Sequence, residues 1–291
     1  MKRRILSIMV MTVVSIGLIA GCGAGKTGEE SSSADKTVSS TKEEGNESSK
    51  KDVFSETNLN IDVAASLKDA ITEITQLYNK NQPNVKININ ADSSGTLQSQ
   101  IEEAKGTDVD MFFSASKKQM KKLQEEGYIE ENTVSDLLKN EVVLISAKGS
   151  KTKVTGFENI TDAKSFALAG ESVPVGQYSR QIFEKLGIID AVNSMEINQC
   201  DNVSAVKNAV VEGSNEIGTV YYSDYYSVKD KVDLIAKADE SWCDPIVYPV
   251  GLVINPAADE NQKGAIKDFY EFLKSDEAKA VFEKYMFVVN K

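Results

Sequence analysis

The stretch that decides the fold is Val63-Ala64-Ala65-Ser66-Leu67-Lys68-Asp69-Ala70, in which an apolar strand runs into a helix through a serine. Before it, apolar and polar residues alternate from 59 to 63, which is the period of a strand with one covered face. After it, apolar residues recur at intervals of three and four up to Tyr78, which predicts a helix with Ser66 at its N-cap. Such a junction leaves unpaired N–H groups and the positive end of a helix dipole at one point, which attracts anions. A serine that only caps its helix is the plainer interpretation of this stretch taken alone.

The composition narrows the classes of function. The 291 residues are enough for two modest domains with real cores. A net charge of -11 argues against nucleic acid as a partner. There is no histidine, so the commonest general base and metal ligand is missing. An acidic protein that binds an anion has to use local dipoles.

The three cysteines do not have a metal-binding spacing. Cys22 is separated from the other two by most of the chain. Cys200 and Cys243 are left either as a disulfide, which export would permit, or as two free thiols. The sequence leaves both possibilities open.

The N-terminus has the pattern of an export signal. Residues 1–21 combine a basic start with an apolar run, which predicts a signal peptide. The run ends Leu18-Ile19-Ala20-Gly21-Cys22, which resembles the lipobox of bacterial lipoproteins, with Cys22 as the lipidated residue. Two acyl chains suffice for stable anchoring, so we expect an extracytoplasmic protein that is lipid-anchored to the cell membrane. A plain signal peptide with a chance cysteine is the alternative.

Beyond the signal, the chain divides into a tether and a folded part. Residues 22–57 are mostly polar and small, and we predict a disordered tether. From 58 onward, strand and helix patterns alternate, which predicts α/β sheets with crossover helices. The extended run 246–254 could return the chain to its first domain. We therefore predict a discontinuous domain I (58–140 and 246–291), a domain II (141–245), and a hinge of two crossovers.

Four predicted helices begin directly after a predicted strand, at loops that contain serine, glycine or asparagine. Ser66, Ser93-Ser94-Gly95, Val175-Gly176 and Asn202-Val203 each lie where a predicted strand gives way to a helix. In open parallel sheets, ligands bind at the carboxyl ends of the strands, so these loops are candidates to face one crevice. Neutral donors bind an anion with charge-assisted hydrogen bonds and avoid the desolvation of a buried cation. The sequence therefore predicts an anion site without a charged ligand.

Several motifs together resemble one family, the periplasmic molybdate-binding proteins of ABC importers. They follow one another in the order and spacing of that family, and the resemblance covers about 58–291. The motifs are Ala64-Ala65-Ser66-Leu67, Ser93-Ser94-Gly95-Thr96-Leu97 with Gln100-Ile101, Asp110-Met111-Phe112-Phe113-Ser114-Ala115, Val173-Pro174-Val175-Gly176-Gln177-Tyr178, Val220-Tyr221-Tyr222-Ser223-Asp224 and Tyr248-Pro249-Val250.

The resemblance implies a type II periplasmic-binding-protein fold, in which two parallel or mixed-sheet α/β domains close on a tetrahedral oxyanion. It implies a monomer that captures molybdate or tungstate and delivers it to an ABC permease, without catalysis or a cofactor. In the family, two serines, two backbone amides and a tyrosine hydroxyl hold the anion. The matching positions here are Ser66, Ser94, Val175, Val203 and Tyr221. At Val175 the family more often has alanine, whose smaller side chain leaves the same amide donor.

Three other interpretations compete with this one. The chain could be a receptor for sulfate, or less readily phosphate, because none of the five predicted contacts is a carboxylate that could accept from a protonated anion. An extracellular hydrolase with Ser66 or Ser94 as nucleophile lacks a histidine to activate the serine, and Ser66 lacks the S-x-x-K arrangement. A structural surface lipoprotein would explain the anchor but not the four helix starts.

Overall fold

The computed structural model describes residues 53–290, which belong to one compact unit. The predicted signal peptide, the lipidation site Cys22 and most of the predicted tether lie outside the described residues. None of the helices between residues 53 and 290 combines the length and the apolar content that a membrane span requires.

The last residues of the predicted tether, 22–57, contact the folded part, and the boundary itself stays a prediction. The Phe54 amide donates to Gln82 Oε1 at 3.1 Å, and the Phe54 side chain packs against the core. Thr57 is already the first residue of a strand. The physical reason is that Phe54 is a large apolar side chain at the end of a polar run, and burial of its ring stabilises the packed position.

Strands and helices alternate along the described chain, as the periodicity predicted. The strands are β1 (Thr57–Ala64), β2 (Val85–Asp92), β3 (Met111–Phe113), β4 (Ser135–Lys139), β5 (Val142–Ala147), β6 (Phe166–Ala169), β7 (Ile197–Cys200), β8 (Ile217–Tyr221), β9 (Val232–Lys237), β10 (Val247–Leu252) and β11 (Val288–Val289). The helices are α1 (Lys68–Tyr78), α2 (Ser94–Glu103), α3 (Lys117–Glu125), α4 (Pro174–Lys185), α5 (Ile189–Asn193), α6 (Val203–Val211), α7 (Tyr222–Ser227), α8 (Glu260–Phe272) and α9 (Asp276–Lys284). Short 3-10 segments cover Ala65–Leu67, Phe157–Asp162 and Glu240–Trp242.

The strands form two mixed sheets. The first has the order β11-β4-β10-β3-β1-β2, and the second has the order β7-β6-β8-β5-β9. In the first sheet, β1 runs parallel to β2 and β3, whereas β10 runs antiparallel to β3 and β4. In the second, β6 runs parallel to β7 and β8, whereas β5 runs antiparallel to β8 and β9. β3, β6, β8 and β10 are buried along their whole length, as expected for strands covered on both faces.

The chain crosses between the two sheets twice, once between β4 and β5 and once between β9 and β10. The Asn140 amide donates to Ile246 O at 3.1 Å, so the two crossings run side by side. We call the part built on the first sheet lobe I (57–139 and 247–289) and the part built on the second sheet lobe II (142–237). The domain boundaries at 140/141 and 245/246 stay a prediction.

β4 and β11 pair with each other at the edge of the first sheet, where their ladder rather than their apolar content defines them. β3 begins only at Met111, although Val109 before it is also apolar. Asp110 interrupts the apolar run, because its buried carboxylate accepts from the Asn60 amide, Asn255 Nδ2 and Gln262 Nε2.

Asp62 on β1 is a second buried carboxylate, and it has fewer partners. It is 2% exposed, and its Oδ1 accepts from Asn90 Nδ2 at 3.0 Å. Its Oδ2 has no hydrogen-bond partner among the described residues. Burial raises the pKa of Asp62 to about 6, and the hydrogen bond from Asn90 offsets part of that rise. Folding therefore favours the protonated form of this side chain.

The Asp62→Asn variant should gain stability relative to the parent as the pH rises. The unfolded chain loses this proton near pH 4, whereas the folded protein holds it to about pH 6. The parent therefore loses folding free energy as the pH rises from 4 to 6, and above pH 6 the whole loss is present. We expect the free energy of unfolding of the variant, minus that of the parent, to increase by roughly 2–3 kcal/mol from pH 4 to pH 7. Urea denaturation across that range measures it. The exposed Asp230, changed to Asn, is the control, and a pH-independent difference for Asp62→Asn would contradict the interpretation.

Candidate anion-binding site

One small cavity between the lobes is lined by all five predicted site residues. The space open to the centre of a water-sized sphere is about 10 Å³, which is room for about one water molecule. A larger cleft of about 450 Å³ lies along the hinge and contains none of the five. The small cavity is lined by Ala64, Ala65, Ser66, Asp92, Ser93, Ser94, Ala115, Val173, Pro174, Val175, Val203 and Tyr221.

Ser66 lies at the first helix start, but it is not the N-cap, so that prediction was wrong. The 3-10 turn begins at Ala65, which places Ser66 inside the turn, and α1 follows from Lys68. The residue before the turn, Ala64, offers no side-chain cap, so the first amides of the turn keep their unpaired character. The Ser66 hydroxyl instead lies 2.9 Å from the hydroxyl of Tyr248 on β10.

Ser94 is the first residue of α2, and its neighbour Ser93 is the cap. Ser93 Oγ accepts from the Thr96 amide at 3.1 Å. Ser94 is fully buried, and its Oγ accepts from the Ala115 amide at 2.9 Å. Because that bond uses an oxygen lone pair, the Ser94 hydroxyl keeps its proton to donate.

Lobe II contributes two more helix starts to the cavity. α4 begins with Pro174 and has no side-chain cap, and the Gln177 amide is the donor to Val173 O, so the Val175 amide precedes the helical ladder. α6 begins at Val203, and its cap Asn202 accepts from the Ala205 amide at 3.0 Å. A backbone amide at each of these starts can donate to a group in the cavity.

Tyr221, the last residue of β8, adds a buried hydroxyl. The side chain is 2% exposed, and its hydroxyl has no hydrogen-bond partner among the described residues. Burial, with smaller effects from neighbours that include Tyr248, holds the pKa of Tyr221 well above its usual value. The phenol is therefore neutral at physiological pH and can donate a hydrogen bond. A buried hydroxyl without a partner costs stability, which a bound acceptor would recover.

The cavity contains no lysine or arginine, and its only charged residue is Asp92. The sequence analysis missed Asp92, although it directly precedes the Ser93-Ser94-Gly95 motif. Its Oδ1 accepts from the Ser93 amide at 2.7 Å and from Asn202 Nδ2 at 2.9 Å, and the second bond joins the two lobes. Because Oδ1 already accepts from two donors, Asp92 acts here as a link between the lobes.

The lobes also approach each other closely at Gly95 on α2. A Cβ atom at this position would lie 2.3 Å from Ser172 O of lobe II, inside any allowed contact distance. The motif therefore needs glycine at this position for the lobes to close as they do here.

Outside the cavity, the structure shows what Arg180 contacts and whether the two cysteines of the folded part are bonded. Arg180 Nη1 donates to the carbonyl oxygens of Ala169 and Gly176, each at 2.9 Å, so this arginine stabilises the backbone around α4. Cys200 and Cys243 are both free thiols, which decides the alternative that the sequence had left open.

Comparison with known proteins identifies the class. The family model described as bacterial extracellular solute-binding protein matches residues 59–288, and the chain belongs to this family. Its type II periplasmic-binding-protein fold, predicted from the motifs, is confirmed. The family role is binding of a solute for transport and not catalysis.

Three relatives illustrate the similarity. The chain is 35% identical over 282 residues, 97% of each chain, to YvgL of Bacillus subtilis, which carries a provisional assignment as an ABC transporter substrate-binding lipoprotein. It is 32% identical over 230 residues, 77% of this chain and 87% of the relative, to the molybdate-binding protein ModA of Haemophilus influenzae. A solved substrate-binding domain of a provisionally assigned molybdenum ABC transporter from Clostridium difficile is 36% identical, with a TM-score of 0.60 over 80% of this chain and 99% of that chain.

The Tyr221→Phe variant should be at least as stable as the parent when no ligand is present. The change removes a buried hydroxyl that has no protein partner, so we expect the free energy of unfolding to stay the same or to rise by about 1 kcal/mol. Tyr78→Phe is the matched control, because Tyr78 is as little exposed as Tyr221, at 2%, but its hydroxyl donates to Asp268 Oδ2 at 3.1 Å. The control should lose about 1 kcal/mol. Urea denaturation measures the free energy of unfolding of both variants. If Tyr221→Phe lost as much of it as Tyr78→Phe, the Tyr221 hydroxyl would have a partner in the protein, which would contradict the interpretation.

Proposed function

We propose that this protein captures molybdate or tungstate between its lobes and delivers it to an ABC permease. The observation that carries the proposal is the set of hydrogen-bond donors around one small cavity. The hydroxyls of Ser66, Ser94 and Tyr221 and the helix starts at Val175 and Val203 line it, and no cation does.

These groups suit a small oxyanion that bears no proton. A tetrahedral dianion offers only acceptors, so a shell of neutral donors satisfies it without an opposing charge to desolvate. Hydrogen bonds to a charged group are roughly twice as strong as neutral ones, and the helix dipoles add to them. A bound oxyanion would also be the acceptor that the Tyr221 hydroxyl lacks.

The names of two relatives support molybdate as the ligand. The Haemophilus influenzae relative is named a molybdate-binding protein, and the solved Clostridium difficile domain is assigned to a molybdenum ABC transporter. Both share at least 32% identity with this chain over more than three quarters of its length. The name of YvgL as a lipoprotein supports a lipid on Cys22 that holds this protein at the outer face of the membrane. We propose that the folded unit acts there as a monomer and without a cofactor.

Binding would proceed in two steps. The anion meets the hydroxyls of Ser66 and Ser94 on lobe I, and closure of the hinge adds the amides of Val175 and Val203 and the Tyr221 hydroxyl from lobe II. The Asp92–Asn202 hydrogen bond then joins the lobes beside the anion. The closed form would be the one that the permease recognises.

Sulfate is the main alternative ligand, because a shell of donors does not by itself discriminate between dianions of one shape. Phosphate fits less well, because its protonated form needs an acceptor and none of the five predicted contacts is a carboxylate. Asp92 lines the cavity, and its Oδ1 already accepts from two donors, so Oδ2 of this side chain is the carboxylate oxygen that could still accept that proton. The size of the closed cavity would then decide between sulfate and the larger molybdate.

Loss of either serine hydroxyl should weaken anion binding. For Ser66→Ala and Ser94→Ala we expect a loss of about 1.5–3 kcal/mol each in the binding free energy of molybdate, the scale of a hydrogen bond to a charged group. Isothermal titration of residues 50–291, the compact unit, measures it. Ser99→Ala is the control, because Ser99 is an exposed serine of α2, the helix that Ser94 begins, and its hydroxyl donates to Gly95 O.

The same titration with tungstate, sulfate and phosphate at one ionic strength tests the ligand. Tight one-to-one binding of molybdate and tungstate, with sulfate and phosphate far weaker, is the expected result. Sulfate binding as tight as molybdate binding would favour the general oxyanion receptor. No binding of any of the four anions would contradict the proposed function.

A further inference from the structure

A chain of buried polar groups lies behind Ser66 and has no role in the function proposed above. It runs from Asn140 at the first crossover through Tyr248 on β10 to the Ser66 hydroxyl. Tyr248 is fully buried, Asn140 is 9% exposed at the edge of the hinge cleft, and Ser66 is half-buried at the cavity. The direction of the chain can be worked out one hydrogen bond at a time.

The Asn140 side chain is held in one orientation. Its Oδ1 accepts from the Glu141 amide at 2.9 Å. The amide nitrogen Nδ2 therefore faces the other way, where it donates to Ser223 Oγ at 2.9 Å and to the Tyr248 hydroxyl at 3.4 Å. Towards Tyr248, Asn140 presents only a donor.

The Tyr248 hydroxyl therefore has to donate to Ser66. Its partners among the described residues are Asn140 Nδ2, which cannot accept, and Ser66 Oγ at 2.9 Å. Burial, with a smaller effect from the charge of Asp224, holds the pKa of Tyr248 well above its usual value, so the phenol keeps its proton. Within residues 53–290, the acceptor in reach of that proton is the serine oxygen.

This direction leaves the Ser66 proton free to point into the cavity. Ser66 Oγ accepts from Tyr248, so its own hydrogen needs another acceptor. Ser66 is the second residue of its 3-10 turn, so it has no preceding helical turn whose carbonyl could accept that hydrogen. Ser66 donates that hydrogen to no acceptor among the described residues, and it lines the cavity. If the direction were reversed, Ser66 would present a lone pair to the anion and repel it.

We propose that Asn140 and Tyr248 are positioning residues that fix the Ser66 hydroxyl as a donor to the bound oxyanion. The inference rests on the proposed function, since it concerns the same site. It gives a role to the buried amide of Asn140 at the hinge. It also gives a role to the shift in the β10–β4 register at Tyr248, because a bulge turns the strand and changes the direction of its side chains. Neither residue lines the cavity itself.

The test is a double-mutant cycle between Tyr248→Phe and Ser66→Ala, read by titration of the purified protein with molybdate. Tyr248→Phe alone should weaken binding by roughly 3- to 10-fold, the effect of one hydrogen bond. In the Ser66→Ala background the same change should alter binding by less than about 2-fold, since its effect passes through Ser66. Tyr78→Phe is the control in both backgrounds, because it removes a buried hydroxyl of lobe I that does not reach the site.

A second variant tests the direction of the chain. Asn140→Asp keeps the side-chain shape but replaces the donor to Tyr248 by an acceptor. Tyr248 would then donate to the new carboxylate, and Ser66 would turn to donate to Tyr248. We expect molybdate binding to fall by roughly 10-fold or more, with much of that loss absent in the Ser66→Ala background.

The outcomes separate the inference from the proposed function. If the parent binds molybdate and Tyr248→Phe loses as much affinity with Ser66→Ala as without it, the residues have only a structural role and the inference is wrong. Equal affinity of Tyr248→Phe and the parent would overturn it as well. If the parent binds none of the four anions, the proposed function fails and the inference falls with it. Circular dichroism of each variant checks that the fold is retained.

Discussion

The backbone N–H groups at the start of a helix have no partners within the helix, and the rest of this structure depends on where those groups meet. Four helix starts, two from each lobe, face one cavity. Their dipoles and amides create a positive potential in a protein whose net charge is -11. An anion can thus be attracted locally while the surface as a whole repels it, and no buried cation is needed.

Hydroxyl groups refine this arrangement, and their partners decide what each can do. Ser94 uses its lone pair on the Ala115 amide, which leaves its proton for the cavity. Tyr221 and Tyr248 are almost equally buried and lie in an edge-to-face contact at 5.7 Å, yet in the part of the chain that the structure describes only the Tyr248 hydroxyl has hydrogen-bond partners. One tyrosine is therefore free to bind a ligand, and the other can orient a neighbour that does.

Hydrogen bonds connect the hinge to a residue that lines the cavity, from Asn140 through Tyr248 to Ser66. Asn140 ties the two crossovers together through its backbone amide, and its side chain reaches Ser223 of lobe II and Tyr248 of lobe I. The Asp92–Asn202 bond and the close approach at Gly95 also join the lobes. A change of angle between the lobes would alter these contacts, and under the proposed function that would couple closure to binding.

The sequence by itself determined the alternation of strands and helices and the order of the motifs, because periodicity and the strand-to-helix junctions are local properties of the chain. The five predicted site positions came from the resemblance of those motifs to a family, and all five are among the residues that line the cavity. It also led to errors at Ser66, whose place inside a 3-10 turn depends on the exact residue at which the turn begins. Only the tertiary structure decided the partners of the buried polar groups. Ser66 and Tyr248 are separated by 182 positions, and Asp92 and Asn202 by 110. No local pattern records such pairs, because a hydrogen bond between them exists only after the chain has crossed twice between its sheets and the lobes have closed.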